Sequence, residues 1–356
     1  VQGCYFMLVL AVALFAASQY FSPIILRDII ESLQVYGATA DYLHWRTYGI
    51  FFSFLCVMFR AYYVGITQTK ILTVNSIVML LSNVALNYCL IFGKGGFPAA
   101  GIAGAAIASS VSEAVSLLFF IIYTSMTADK RKYGFRRAFT LRPHLLKGML
   151  SISGWTMVQS FISVSIWFIF FLAIEHLGER PLAVTNIVRN ISALLIMVIS
   201  AFATTAGALI SNQIGAGEQR CLFKTCGMTL KLTYAILIPL LIILCLFPES
   251  VLRAFTDSPS LIAASVNSVY VMASSTLIMA PSFILFNAVS GTGNTRAGFI
   301  MEMISLAVYT AVIYYGIIRL KPDVALCWFS EHVYGVTLIF LAWWYLKSGK
   351  WRGKKV

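Results

Sequence analysis

The 356-residue chain is 60% hydrophobic and only 11% charged, and its mean hydropathy is +0.85. Soluble globular domains carry roughly 25% charged residues, so the composition excludes a soluble enzyme, a disordered chain and a disulfide-rich secreted scaffold. The net charge of +13 gathers beside apolar runs, which is typical of membrane anchoring rather than of nucleic-acid binding. The apolar runs are long and continuous, so they favour membrane helices over a membrane β-barrel.

Ten apolar stretches are long enough to cross a bilayer as helices, which need about 20 mostly apolar residues. Glycine and proline separate several of them, as in the segment 93–98. The first stretch lacks the basic start of a signal peptide, so we interpret it as a membrane helix. In chain order the predicted spans lie at roughly 5–26, 47–66, 71–92, 99–126, 148–174, 184–210, 229–247, 263–288, 298–318 and 325–346.

Basic residues predict the orientation of these spans. Lysine and arginine are concentrated in the loop 127–147 and in the tail 347–356, which strict alternation places on one side. The loops on the opposite side carry few basic residues, among which we count Arg46. Because short cytoplasmic loops are rich in lysine and arginine, we expect the loop, the tail and the residue 1 side to be cytoplasmic.

The chain also contains an internal repeat at an offset of 226 residues, which aligns Phe21 with Phe247 and Gly65 with Gly291. An even number of spans separates the copies, so the repeat is parallel, as in transporters built from two halves. Four spans precede the basic loop and six follow it. We therefore expect two further helices upstream of the given sequence, with a genuine ten-helix protein as the alternative. The predicted organisation is an N-terminal lobe at 1–126, a basic connector at 127–147, a C-terminal lobe at 148–346 and a tail at 347–356.

Several motifs carry a family resemblance. The segments 59–70 (FRAYYVGITQTK), 98–108 (PAAGIAGAAIA), 210–217 (ISNQIGAG) and 291–295 (GTGNT) follow one another in an order that resembles multidrug and toxic compound extrusion (MATE) transporters. The resemblance implies a two-lobe, twelve-helix transporter fold, of which about ten transmembrane helices are present here. It also implies export of organic, often cationic compounds, coupled to entry of Na⁺ or H⁺.

Ionisable and amide side chains inside the first-lobe spans are candidates for cation coupling, because buried charge in a bilayer is expensive. Glu113 lies at the centre of span four, and Asn83 and Asn87 lie on one face of span three. Two amide oxygens suit a hard cation, so Asn83 and Asn87 are a possible Na⁺ site. The family resemblance implies an asparagine and an acid at these two positions, from which Asn87 departs. Hydrogen bonding between helices is the alternative role for all three residues.

In the second lobe Glu302 and Glu331 are further coupling candidates, and Arg189 is the cation that lies nearest to Glu331 by depth. We expect Glu331 to face the lobe interior, with Arg189 within salt-bridge or one-water reach. The predicted wall of the substrate cavity consists of Gln159, Arg189, Asn287 and Tyr309.

The sequence thus predicts a cation-coupled antiporter that exports organic compounds across the inner membrane by alternating access. We expect a monomer that contacts lipid and a small organic substrate, with no cofactor, no firm metal site and no nucleic-acid partner. One alternative is a lipid-linked saccharide flippase of the same superfamily. Another is a membrane enzyme that uses the adjacent pair Glu331 and His332.

Overall fold

The structure is a computed structural model that describes residues 2–29, 33–127 and 143–351. The predicted fold class is confirmed: ten helical segments of the described chain are long and apolar enough to cross a membrane. The chain divides into two compact units, Val1–Lys147 and Gly148–Val356. Each unit is described by itself below.

Unit 1 contains four long helices: α1 (Gln2–Ile29), α2 (Leu33–Gly65), α3 (Lys70–Phe92) and α4 (Gly101–Thr127). Helix α4 is the centre of the unit, since it packs against both α2 and α3, while α1 packs against α2. Helices α3 and α4 approach closely because Gly104 has no side chain: a Cβ there would stand 2.5 Å from the carbonyl oxygen of Leu90.

Helix α2 corrects one sequence prediction. We expected span two to begin at residue 47 and placed Arg46 in a loop, whereas α2 begins at Leu33 and Arg46 lies inside the helix. The polar stretch before residue 47 suppressed the apolar signal on which the prediction depended. The helix tolerates Arg46 because a carboxylate on α4 neutralises it.

Unit 2 continues with α5 (Pro143–Glu175), whose first turn precedes the unit boundary, and α6 (Glu179–Gly215). A 3₁₀ turn (Gln219–Cys221) leads into α7 (Leu222–Leu246), which is followed by the short α8 (Pro248–Leu252) and the long α9 (Pro259–Gly291). Helix α10 (Thr295–Val312) ends in a π-helical turn (Ile313–Arg319). The last span is broken into α11 (Val324–Cys327) and α12 (Ser330–Ser348).

Helix α9 lies at the centre of unit 2 and packs against α6, α7 and α12. Helices α6 and α9 come close at Gly207 and Gly291, where a Cβ on Gly291 would stand 2.5 Å from the carbonyl oxygen of Gly207. Pro281 lies inside α9 and has no N–H to donate to the carbonyl of Leu277. The hydroxyl of Tyr234 on α7 donates to that carbonyl at 2.7 Å, so the broken helix bond is replaced by a bond between helices.

The offset of 226 residues recurs in the structure. Helices α2 (Leu33–Gly65) and α9 (Pro259–Gly291) both begin and end at this offset. The turns that follow them are alike as well, because Thr67 (φ 60°) and its counterpart Gly293 (φ 77°) both have left-handed backbones. In each turn that residue donates its N–H three residues back, to Val64 or to Ser290, at 3.0 Å.

A second pair of equivalent turns also has left-handed backbones, but here the glycine is in unit 1 and the residue with a side chain is in unit 2. Gly95 (φ 69°) in unit 1 corresponds to Lys321 (φ 47°) in unit 2. Each half therefore has glycine at one left-handed position and a residue with a side chain at the other. Side chains disfavour this backbone region, so Thr67 and Lys321 are strained positions.

Candidate functional site

A cavity of about 260 Å³ lies inside unit 2, among α5, α6, α9, α10 and α12. Most of its wall is apolar or aromatic, with Trp167 from α5 and Phe283 from α9. Four polar side chains from α10 and α12 face each other in it, and α5 adds a serine. These residues are Ser163, Glu302, Tyr309, Glu331 and Tyr334.

Glu302 is buried, with 4% of its surface exposed. Ser163 donates to its Oε1 at 2.8 Å, and the single hydroxyl proton of Tyr334 is shared between Oε1 at 2.9 Å and Oε2 at 3.1 Å. Since these donors come from α5 and α12 while Glu302 is on α10, the carboxylate joins three helices.

Glu331 also lines the cavity. Tyr309 donates to its Oε1 at 2.8 Å. Glu331 lies in the first turn of α12, directly after the turn at Trp328 and Phe329 that separates α11 from α12. The sequence pattern suggested one continuous helix and hid this break, which brings the carboxylate to a helix N-terminus, where negative charge is favoured.

The contact expected between Arg189 and Glu331 is not a direct salt bridge. In the described part of the chain no ion pair joins them, and the guanidinium of Arg189 lies over the rings of Phe171 and Trp167, 5.1 Å and 5.9 Å from their centroids. The aromatic faces of α5 hold the cation of Arg189, and the hydroxyl of Tyr309 holds Glu331. Depth along the membrane normal therefore did not identify the partner of either charge.

The other predicted cavity residues separate into two groups. Tyr309 lines the cavity, but Gln159 and Asn287 are not among its lining residues. The carbonyl of Gln159 accepts the hydroxyl of Ser163, and the side-chain amide of Asn287 donates to the carbonyl of Phe283 on its own helix. The cavity residues that we did not predict include Ser163, Trp167 and Tyr334. Tyr334 had a signal in its spacing, since it follows Glu331 by three residues and so lies on the same helix face.

In unit 1 Glu113 is paired rather than open. Both of its oxygens accept from Arg46, with Nη2 to Oε1 at 2.7 Å and Nη1 to Oε2 at 3.0 Å. The two side chains are 34% and 16% exposed, and theirs is the one ion pair in the described ranges. Gly49 lies under the pair, since a Cβ there would stand 2.6 Å from Oε2 of Glu113 and close to the guanidinium. The pair links α2 to α4 as a neutral unit.

The two asparagines of α3 bond elsewhere. Asn83 donates to Ser112 at 3.1 Å on α4, and Asn87 donates to Oδ1 of Asn83 at 2.9 Å. These contacts match the alternative in which the amides join helices. However, Oδ1 of Asn87 is buried without a hydrogen-bond partner in the described structure, so the Na⁺ hypothesis retains one free ligand atom there. Glu113 adds no free ligand oxygen to the pair Asn83 and Asn87, because both of its oxygens accept from Arg46.

Glu331 and His332, the pair proposed for a membrane enzyme, bond to different partners. Glu331 bonds Tyr309, whereas Nε2 of His332 lies 2.9 Å from the hydroxyl of Ser274 on α9. Across the ranges that the structure covers, no three histidine, cysteine, aspartate or glutamate side chains come together as a metal site.

Comparison with known proteins gives concordant results. The MatE family model matches residues 1–89 and 156–315. The chain is 24% identical over 268 residues to the uncharacterized transporter YisQ of Bacillus subtilis (strain 168), covering 72% of this chain and 56% of YisQ. It is 25% identical over 291 residues to the probable multidrug resistance protein NorM of Thermotoga maritima, covering 77% of this chain and 59% of NorM. The chain thus spans less than two thirds of these relatives.

Solved structures show the same fold. A MOP superfamily transporter from Pyrococcus furiosus aligns with a TM-score of 0.85 at 16% identity, over 97% of this chain and 77% of that one. The Vibrio cholerae MATE transporter VcmN, in its bent form, aligns with a TM-score of 0.80 at 12% identity, over 98% and 79% of the two chains. These relatives are transporters and not enzymes, which leaves the enzyme alternative at Glu331 and His332 without support. The family model matches well over half of the sequence, and the chain therefore belongs to the MatE family of multidrug efflux transporters.

Proposed function

We propose that the protein is a cation-coupled antiporter that exports organic, cationic compounds by alternating access. The observation that carries the proposal is the unit 2 cavity, where Glu302 and Glu331 face an aromatic-walled space inside membrane-spanning helices. In the described structure neither carboxylate has a basic side chain within ion-pair distance. The relatives named probable multidrug resistance proteins agree with this class of cargo.

The chemistry of the cavity follows from the cost of charge in a bilayer. A carboxylate at membrane depth needs a counter-charge or a proton, at a cost of a few kcal/mol when it has neither. Phe283 offers an aromatic face in the cavity wall, and aromatic faces attract organic cations. One cavity can thus hold an organic cation in one part of the cycle and H⁺ or Na⁺ in another. Because the two ligands compete for the same carboxylates, export of the organic cation is coupled to entry of H⁺ or Na⁺.

The coupling ion is Na⁺ or H⁺, and no further cofactor is proposed. Unit 1 supplies a second coupling candidate, the amide pair Asn83 and Asn87 with its free oxygen, while Glu113 stays neutralised by Arg46. We place the protein in the cytoplasmic membrane as a monomer that contacts lipid and a small organic substrate.

The proposed orientation puts the residue 1 side, the loop 127–147 and the C-terminus in the cytoplasm, because lysine and arginine concentrate there. A cysteine introduced by Gly134→Cys in a background without the native cysteines tests it. In intact cells this cysteine should resist a membrane-impermeant thiol reagent and react once the cells are permeabilised. Equal labelling before and after permeabilisation would reverse the assigned orientation.

The function itself is tested with the purified protein in vesicles. Uptake of a fluorescent organic cation is measured under a Na⁺ gradient and, separately, under a proton gradient. We expect one gradient to drive uptake, and we expect the variant Glu302→Gln/Glu331→Gln to abolish it. Glu249→Gln, at an exposed carboxylate in α8, is the matched control and should transport normally. The proposal fails if neither gradient drives uptake or if the double variant transports as well as the control.

A further inference from the structure

The two carboxylates of the unit 2 cavity differ in how many donors hold them. Glu302 accepts from two hydroxyl groups, those of Ser163 and Tyr334, and each of its oxygens lies within hydrogen-bond distance of at least one of them. Glu331 accepts from one hydroxyl group, at Oε1 from Tyr309. Its second oxygen has no donor among the described residues, and it is not one of the buried polar atoms that lack a partner. Glu331 is half-buried and lines the cavity, and Oε2 is its carboxylate oxygen without a hydroxyl donor among the described residues.

This difference separates the roles of the two acids. A carboxylate has about four lone-pair sites, and Glu302 engages both of its oxygens with hydroxyl groups that tie α10 to α5 and α12. A ligand that bound the carboxylate of Glu302 would have to displace the hydroxyl of Ser163 or of Tyr334. Glu331 keeps its second oxygen for a ligand at no such cost.

The position of Tyr309 adds to the argument. Its side chain is 3% exposed and packs against Phe170 and Tyr334, with ring centroids at 6.4 Å and 5.8 Å. A phenol held this rigidly fixes the direction of the carboxylate to which it donates, and pre-organised donors lower the cost of binding. Glu331 also lies in the first turn of α12, and the N-terminal end of a helix dipole attracts negative charge.

We propose that the cavity reads a single positive charge, that Oε2 of Glu331 is the group that binds it, and that Tyr309 is the positioning residue for this oxygen. Glu302, Ser163 and Tyr334 form a clasp that holds the wall together and does not bind the charge. The ligand class is a lipophilic monovalent cation, because one free carboxylate oxygen faces an apolar and aromatic wall. This inference refines the proposed function and rests on it, but it concerns binding alone.

The test is equilibrium binding of radiolabelled tetraphenylphosphonium to the purified protein in detergent, with no gradient present. We expect saturable binding to the unmodified protein and a loss of affinity of about tenfold or more in Glu331→Gln, since hydrogen bonds and pairs to charged groups are the strong ones. Glu302→Gln should weaken binding by no more than about threefold, because glutamine can still accept from Ser163 and Tyr334.

Two matched phenol variants test the positioning role. Tyr309→Phe should lower the affinity several-fold, whereas Tyr334→Phe, which removes only the clasp hydroxyl, should lower it less. Tyr309→Phe should have no further effect in the Glu331→Gln background, since the two residues act as a unit. Binding of uncharged triphenylphosphine oxide should be the same in the unmodified protein and in Tyr309→Phe, which a general loss of structure would not allow.

Charge number is tested with a bis-phosphonium analogue in which two triphenylphosphonium groups are joined by a short linker. We expect the second charge to bring no gain in affinity in the unmodified protein. A gain of about tenfold that disappears in Glu302→Gln would show that both carboxylates bind charge and would overturn the proposal.

The proposal is also overturned if Glu302→Gln loses as much affinity as Glu331→Gln, or if the unmodified protein shows no saturable binding. If Glu331→Gln does not fold, Glu331→Asp and Tyr309→Phe are compared instead, and unchanged affinity in both would refute the assignment. Saturable, Glu331-dependent binding without gradient-driven uptake would instead refute the proposed function and leave this inference standing.

Discussion

Units 1 and 2 share a repeated arrangement of helices but differ in how their carboxylates within the membrane-spanning helices are compensated. In unit 1 the carboxylate of Glu113 is neutralised by Arg46 across the contact between α2 and α4. In unit 2 the carboxylates of Glu302 and Glu331 are held by hydroxyl groups and line a cavity. The repeat therefore fixes where helices begin and end, whereas a few side chains decide whether a lobe carries a closed ion pair or an open acidic site.

Packing of the equivalent helices α2 and α9 differs as well. Half of the most apolar stretch of α9 is buried, against 17% of that of α2. Helix α9 packs against α6 through the close approach at Gly207 and Gly291. The cavity of unit 2 is lined by α5 and α6 as well as by α9, α10 and α12.

The largest expected effect comes from breaking the ion pair. Arg46→Ala would leave Glu113 uncompensated within membrane-spanning helices and should cost about 3 kcal/mol of unfolding free energy. The double variant Arg46→Met/Glu113→Gln removes both charges and should recover most of that loss. Thermal unfolding in detergent measures both variants.

Unit 2 supplies the contrasting control. Glu331→Gln creates no unpaired cation, because Tyr309 is the donor to this carboxylate, and so it should change stability far less than Arg46→Ala. Equal losses from Arg46→Ala and Glu331→Gln would mean that the two units do not differ in their treatment of charge. So would a double variant in unit 1 that is no more stable than Arg46→Ala.

A smaller effect is expected where α9 departs from α2. Helix α9 has Pro281 where α2 has Leu55, and the freed carbonyl of Leu277 depends on Tyr234. Tyr234→Phe should cost about 2 kcal/mol, the penalty for an unsatisfied carbonyl away from water. Thermal unfolding should show this loss only while the proline is present, so Pro281→Ala should reduce the cost of Tyr234→Phe. Tyr270→Phe, which removes a longer bond of 3.4 Å to the carbonyl of Cys245, should cost less.

The smallest effect concerns the left-handed turn positions. Thr67→Gly and Lys321→Gly should each stabilise the protein by up to about 1 kcal/mol, because glycine adopts positive φ without a steric cost. Gly293→Thr, at the position that corresponds to Thr67, should destabilise it by a similar amount. The melting temperature measures all three variants, and a loss of stability in Thr67→Gly would show that its side chain compensates for the strain.

Most of the fold could be predicted from the sequence, because apolar length and continuity determine membrane helices almost alone. The start of α2 could not, since Arg46 reads as a loop residue until its partner on α4 is known. Glu331 was identified as a candidate from the sequence, but Tyr309 was not identified as its hydrogen-bond partner. The prediction considered only opposite charges, whereas hydroxyl groups on neighbouring helices hold both acids of the cavity. Such donors are common in every span, so the sequence does not distinguish the ones that face a carboxylate.

The left-handed turn positions also record how the two halves have diverged. Glycine is present at 293 but replaced by threonine at 67, and it is present at 95 but replaced by lysine at 321. If one ancestral segment had glycine at both positions, each copy has since lost one of them and kept the other. Neither half is then the better-preserved copy. A composite that takes each turn from the half that retained glycine would approach the common ancestor more closely than either lobe does today.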